Sequence, residues 1–326
     1  MRIFVGLIEA KLRQEVVTLE ILLAQPRGFC AGVVRAVEIV NLALEQHEPP
    51  IYVFHEIVHN PYVVNGLRDK GAVFVDDLDE VPTGSVTIFS SHGVATEVVN
   101  QANRKQLRVI DATCPLVTKV HLQAQKYHEQ GCEIIIIGHI GHEEIEGTMG
   151  SVPGPVHVIM TPEDAWNLHV EDPDKLAYVT QTTLSVDDTK DVIAVLRERF
   201  PNIKGPDTKD ICYASQNRQN AVRELSKQVD LLLVVGAHNS SNSNRLREVS
   251  MQCGTVAHLI QDETEIQGDW LDNVDKVGIT AGASTPEVLV QGVITYLGQS
   301  GVATVRSMEG VEEKTTFSLP KQLLGE

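Results

Sequence analysis

Three of the five cysteines stand where a thiol could serve as a metal ligand. Cys30, Cys114 and Cys212 lie in QPRGFCAGVVRAVEIV (25–40), VIDATCPLVTKVHLQA (109–124) and KDICYASQNRQNAV (209–222). Each segment reads as a short strand or turn, then the cysteine, then a helix start. Pro115 follows Cys114 directly, and proline favours the first helical position, which puts Cys114 at the helix cap. A helix dipole at that position favours thiolate, the metal-ligating form. Three separated soft ligands suit zinc or an iron–sulfur cluster. Structural zinc usually takes four ligands in close pairs, and the chain has no CxxC. A cubane held by three cysteines would keep one iron free of protein ligands. Cys132, opening an apolar strand, and Cys253, following a helix, read as structural.

A second set of residues suits an anion. Loops at expected strand ends carry histidines, hydroxyls and amides: HEIVHNPYVV (55–64), SSHGV (90–94), GHIGHEEIEGTMG (138–150), GAHNSSNSNRL (236–246) and TAGAST (280–285). In open α/β sheets, ligands bind at the carboxyl ends of strands. The NSSNSN run just ahead of a helical stretch is a ready anion cradle. The run His142-Glu143-Glu144-Ile145-Glu146 offers a proton source, because a glutamate screened from water keeps its proton near neutral pH. Spacing does not choose among these glutamates. HEEIE is not HEXXH, so the metalloprotease pattern is absent.

Positioning these groups requires an α/β frame. Segments 19–25, 85–91, 132–138, 176–181, 231–237 and 276–282 are apolar and end in turn residues, the pattern of buried parallel strands. Helical patterns lie between them, as at 187–200, 216–229 and 285–298. Cys30 and Cys114 are 84 residues apart, and Cys114 and Cys212 are 98 apart. This recurrence predicts three similar α/β domains with parallel sheets, each giving one cysteine to a shared centre. The expected units are an N-terminal extension (1–18), domains at 19–114, 115–208 and 209–300, and a closing segment (301–326). SVPGPV (151–156) reads as a loop of the middle unit.

The 326-residue chain is 42% hydrophobic, and its net charge of −17 argues against nucleic-acid binding, which needs a basic stripe. Apolar runs such as 134–137 and 231–235 are far too short for a membrane helix. The start of the chain lacks the pattern of a secretory signal. These readings give a cytoplasmic protein whose anion site works through local groups. A reductase, an iron–sulfur hydro-lyase, a cluster-based redox sensor and a zinc protein all remain compatible with the cysteines alone.

The combination PRGFCAGV, HEIVHN, SSHGV, DATCPLVTKVH, GHEEIEGTMG, QTTLSVDDT, DICYASQNRQ, NSSNSNRL and TAGAS spans about residues 19–300 and resembles the 4-hydroxy-3-methylbut-2-enyl diphosphate reductases of the non-mevalonate isoprenoid pathway. The resemblance implies a trefoil of three α/β domains around one [4Fe-4S] cluster on Cys30, Cys114 and Cys212. The substrate's allylic hydroxyl would sit at the open iron and leave as water after delivery of two electrons and protons. Isopentenyl and dimethylallyl diphosphate would be the products. By motif position Glu144 matches the proton donor. His142 and Thr182 match residues around the hydroxyl end. His59, His92, Ser240, Ser241, Asn242 and Ser284 match the diphosphate pocket. A reduced ferredoxin or flavodoxin is the implied electron donor. Glu143 stands where the resemblance leads one to expect proline.

Overall fold

The computed structural model describes residues 19–206, 211–299 and 303–324; the expected extension at 1–18 lies outside them. In chain order the strands and helices are β1 (Leu19–Leu23), α1 (Ala31–Gln46), β2 (Ile51–Phe54), α2 (Pro61–Arg68), β3 (Ala72–Val75), β4 (Val86–Phe89), α3 (Thr96–Arg104), β5 (Arg108–Asp111), α4 (Pro115–Glu129), β6 (Glu133–Ile137) and α5 (Glu143–Gly150). There follow β7 (Val156–Ile159), α6 (Pro162–Asn167), β8 (Leu176–Thr180), α7 (Val186–Arg199), α8 (Tyr213–Ser226), β9 (Leu231–Val235), α9 (Ser241–Gln252), β10 (Val256–Ile260), β11 (Lys276–Ala281), α10 (Glu287–Gly298) and β12 (Ala303–Ser307).

The strands form three sheets in the orders β10-β9-β11-β1-β12, β3-β2-β4-β5 and β7-β6-β8. Every pairing among them is parallel. Both faces of each sheet are covered, which explains the unbroken apolar runs. In β6, Ile135 and Ile137 pack with Leu196 of α7, while Ile134 and Ile136 pack with Val120 and Ala124 of α4. In β9, Leu231, Leu233 and Val235 face Val290, Val293 and Leu297 of α10, while Leu232 and Val234 face Val222 and Leu225 of α8. Period-two alternation thus serves two cores at once.

The three α/β units are present, but they divide the chain differently from the expected 19–114 block. β1 lies inside the five-stranded sheet, between β11 and β12, in register from Glu20 with Lys276 and from Leu19 with Ala303. Its alternate residues Leu19, Ile21 and Leu23 join the core built by β9 and β11. α1 belongs elsewhere, since Val33, Ala36, Ile39, Val40 and Ala43 pack on Ile51, Val53, Ile88 and Ile110. The chain therefore leaves the five-stranded lobe after β1 and enters the four-stranded lobe at α1. It crosses again from β5 to α4, and a third time from the three-stranded lobe to α8. Cys30, Cys114 and Cys212 are the N-caps of α1, α4 and α8, so each cysteine marks one crossing.

The segment after β12 ties the lobes together. Leu319 and Leu323 pack into the core beneath α1, and Gln46 Nε2 donates to the Leu323 carbonyl at 2.9 Å. Loop assignments also shift: Pro61 begins α2 with Asn60 as its cap, and Glu143 begins α5. Val156, expected in a loop, opens β7.

Candidate active site

Strand carboxyl ends converge on one cavity. Its lining includes Cys30 after β1, His59 after β2, His92 after β4, Cys114 after β5, His142 and Glu144 after β6, and Thr182 after β8. Ser240, Ser241 and Asn242 follow β9, Ser284 follows β11, and Cys212 caps α8. All twelve residues singled out from the sequence are thus brought together. The same wall holds Ser91, Thr183 and Ser215, which sequence reasoning passed over. Thr183 Oγ1 lies 2.8 Å from Ser241 Oγ, and its place beside Thr182 was the available signal.

The cysteines face the cavity at the tips of three helices. The Ser215 N–H reaches Cys212 Sγ at 3.3 Å, as a helix N-terminus should offer. Yet burial pushes the Cys114 thiol up to about 12, the nearby Cys30 and Cys212 add to the rise, and amides of Leu116 and Val117 oppose it. Burial likewise raises Cys212. The expected lowering by helix dipoles is present but outweighed by the dry surroundings and mutual repulsion. Three thiolates in this place need a cation between them.

Among the described residues, the trio of ligand atoms that lie within 4.8 Å of one another is His59, His92 and Glu143; the three sulfurs do not all meet that distance. Three soft thiols at three separate helix caps suit an iron–sulfur cluster better than structural zinc, which takes four protein ligands. Gly32, in the first turn of α1, keeps the centre clear: a Cβ there would lie 2.8 Å from Cys114 Sγ and 3.9 Å from Cys30 Sγ.

Glu144 is 3% exposed, and Thr182 occupies both its oxygens. The Thr182 N–H donates to Oε1 at 2.7 Å, and Thr182 Oγ1 donates to Oε2 at 3.0 Å. Burial raises its pKa to about 7, against the pull of these two bonds and of His59. The carboxyl can therefore hold a proton at neutral pH. His142 caps α5, its Nδ1 accepting from the Glu144 N–H at 3.1 Å. Burial, with His92 and His59 nearby, lowers its pKa to about 3, so the ring is neutral and carries its hydrogen on Nε2.

At the other end, Ser240 caps α9 through the Ser243 N–H at 3.3 Å. Asn242 Oδ1 accepts from the Ala283 N–H at 2.8 Å, while its Nδ2 is buried without a partner. Ser284 Oγ donates to the His59 carbonyl at 2.9 Å. His59 and His92 stack at 4.1 Å between ring centroids. An unpartnered amide donor, a helix N-terminus, two hydroxyls and two imidazoles make an anion seat without a lysine or arginine. Glu143 sits behind it, Oε2 2.7 Å from His92 Nδ1. Burial raises Glu143 but His92 and His59 outweigh it, to about 2, while burial holds His92 low. The pair titrates together, with Glu143 the ionised partner.

This arrangement defines a class: a three-lobed α/β protein whose crossing points present three thiols to a shared cavity with an anion seat. The family described as "LytB protein" matches residues 21–298, and the chain belongs to that family. It is 57% identical over 304 residues to the 4-hydroxy-3-methylbut-2-enyl diphosphate reductase of Aromatoleum aromaticum, covering 93% of this chain and 97% of that one. The reductase of the same name from Azoarcus sp. is 58% identical over 304 residues, with the same coverage. Among solved structures, the E-1-hydroxy-2-methyl-but-2-enyl-4-diphosphate reductase from Plasmodium falciparum superposes with a TM-score of 0.89 at 38% identity, covering 94% of this chain and 97% of that one. A structure described as (E)-4-hydroxy-3-methyl-but-2-enyl diphosphate reductase, the terminal enzyme of the non-mevalonate pathway, gives 0.61 at 32% identity, covering 86% of this chain and all of that one. Membership implies an iron–sulfur cofactor. No helix among the described residues is long and apolar enough to cross a membrane.

Proposed function

We propose that this protein reduces 4-hydroxy-3-methylbut-2-enyl diphosphate, removing its allylic hydroxyl as water with two electrons and two protons to give isopentenyl or dimethylallyl diphosphate. This is the last step of the non-mevalonate pathway. The observation that carries the reading is a protonatable buried carboxyl, Glu144, in the same cavity as three helix-capping thiols and a cation-free anion seat.

Cys30, Cys114 and Cys212 would hold one [4Fe-4S] cluster, leaving one iron without a protein ligand. When bound, the cluster supplies the electrons for cleaving the carbon–oxygen bond. A reduced ferredoxin or flavodoxin delivers them from the cytoplasm. The rest of the work falls to side chains. Ser240, Ser241, Asn242, Ser284, His59 and His92 fix the diphosphate and so aim the hydroxyl end inward. The Asn242 Nδ2 hydrogens and the N-terminus of α9 supply donors that need no net charge. His142, neutral, donates from Nε2 toward the hydroxyl end. Glu144 holds the proton for the leaving hydroxyl. The Thr182 hydroxyl, 3.0 Å from Oε2, can accept that proton and pass on its own.

The test is anaerobic purification followed by absorbance, iron and sulfide analysis, and turnover with a supplied reductant. The native protein should be brown and active only with reductant. Cys114→Ser should lose colour and activity together. A brown, fully active Cys114→Ser protein would remove Cys114 from the ligand set, and a zinc-only native protein would end the reading.

A further inference from the structure

Glu143 is the ionised residue beside the cavity that the proposed reaction does not use. It opens α5, and its carboxylate turns toward the His92 ring. Its Oε2 and His92 Nδ1 are 2.7 Å apart and both atoms are buried. His59 stacks on His92 with an interplanar angle of 18°, which presents both ring edges to one side. One nitrogen from each ring and one Glu143 oxygen lie within 4.8 Å of one another. Ligands of one tetrahedral ion are separated by roughly 3.3–3.5 Å, given metal–ligand distances near 2.0–2.1 Å, so modest side-chain rotation closes the set.

The surroundings of His59 point the same way. Glu56 Oε2 lies 3.1 Å from His59 Nδ1 and is itself held by Asn239 Nδ2 at 3.1 Å. An ionised carboxylate only accepts, so His59 carries its hydrogen on Nδ1 and leaves the Nε2 lone pair free. A carboxylate behind an imidazole is the usual support of a metal-bound histidine. Two imidazoles and one carboxylate are donors that a borderline divalent ion takes, with a fourth position left for water.

We propose that His59, His92 and Glu143 form a site for one zinc-class divalent ion, and that the ion competes with the substrate's diphosphate for the two imidazoles. The competition rests on the diphosphate reading of His59 and His92; the ion site does not. Free zinc would thereby restrain the enzyme at its anion seat, away from the cysteines.

The experiment uses cluster-loaded, anaerobic protein carrying Cys253→Ser, which removes an exposed thiol that would also take zinc. Zinc is titrated against a chromophoric chelator, with metal analysis of the product. One zinc per chain should bind beyond the iron. Glu143→Gln should weaken it by at least about tenfold, and Glu56→Gln by about tenfold, with the cluster spectrum unchanged in both. In zinc-buffered assays, rising free zinc should raise KM with kcat held, and Glu143→Gln should blunt that rise. No zinc uptake, or equal uptake by the parent and Glu143→Gln, overturns the site. Uptake lost in Glu143→Gln with an unmoved KM keeps the site and overturns the competition. Asn242→Ala separates the two readings: it should raise KM for the diphosphate and leave zinc binding intact.

Discussion

A carboxyl whose two oxygens are both bonded to one threonine, in a place water barely reaches, is expensive to ionise. Glu144 is in that position, with a folded pKa of about 7 against an ordinary 4.5. Because the folded value is raised, the stability linked to this proton is fully present below pH 4.5 and is lost as pH rises through about 7. The loss is roughly 3 kcal/mol, by the usual conversion of pKa to free energy. Glu144→Gln cannot ionise, so its stability relative to the native protein should improve across that window and level off above it. Urea unfolding at pH 5, 6, 7 and 8 checks this; a constant difference between the two proteins would refute it. On the proposed role of Glu144, turnover should follow the same proton. The native rate should fall as pH rises above about 7, and Glu144→Gln should keep its cluster while losing at least about a hundredfold in rate, the low end for a positioned acid. Sequence alone left three glutamates in HEEIE undistinguished, and the resemblance chose Glu144. The fold supplies the physical reason: at the start of α5, Glu143 turns to His92 and Glu144 turns inward to Thr182.

The three helix N-termini are the elements that make the centre. The cysteines at their caps could be anticipated because proline, polar residues and apolar periodicity mark helix starts locally. Their acidity could not. Helix dipole is a local property, whereas burial and the approach of two other thiols belong to the folded assembly, and these dominate at Cys114. Short strands such as β3, β7 and β10 were not legible either, since four or five residues with partly exposed positions carry little periodic signal. Gly32 gains its meaning only from the fold, where α1 and α4 bring it against Cys114. Gly32→Ala places a Cβ 2.8 Å from that sulfur, and the sulfur must move. Alanine costs nothing in a helix and stabilises it by about 0.5–1 kcal/mol over glycine. The variant should therefore fold with an unchanged or slightly higher urea midpoint but bind several-fold less iron. Equal iron content in both proteins would show that the pocket yields without harm.

At the scale of the whole molecule, each cysteine occupies a junction where the chain leaves one sheet for a helix on the next, so the centre depends on three lobes staying in register. The expected 19–114 unit groups β1 with α1, which are adjacent in sequence but belong to different cores, and only long-range pairing with β11 and β12 decides it. One buried cation holds the first junction. Arg218 of α8, fully buried, donates to the carbonyls of Gly28 and Phe29 just before Cys30, and to that of Ala214. Its charge is balanced by Glu313, 3.1 Å away, on the segment that runs on to cover α1. Glu313→Gln keeps the shape and removes the balancing charge. Breaking one side of a buried ion pair costs about 3–5 kcal/mol, and the remaining carbonyl partners of Arg218 place this case near 3. The variant should unfold at lower urea by that amount, and Arg218→Met in the same chain should restore part of the loss, since no uncompensated charge then remains. A Glu313→Gln protein as stable as the native one would mean that the carbonyls alone hold Arg218, and that the closing segment does not clamp the Cys30 junction.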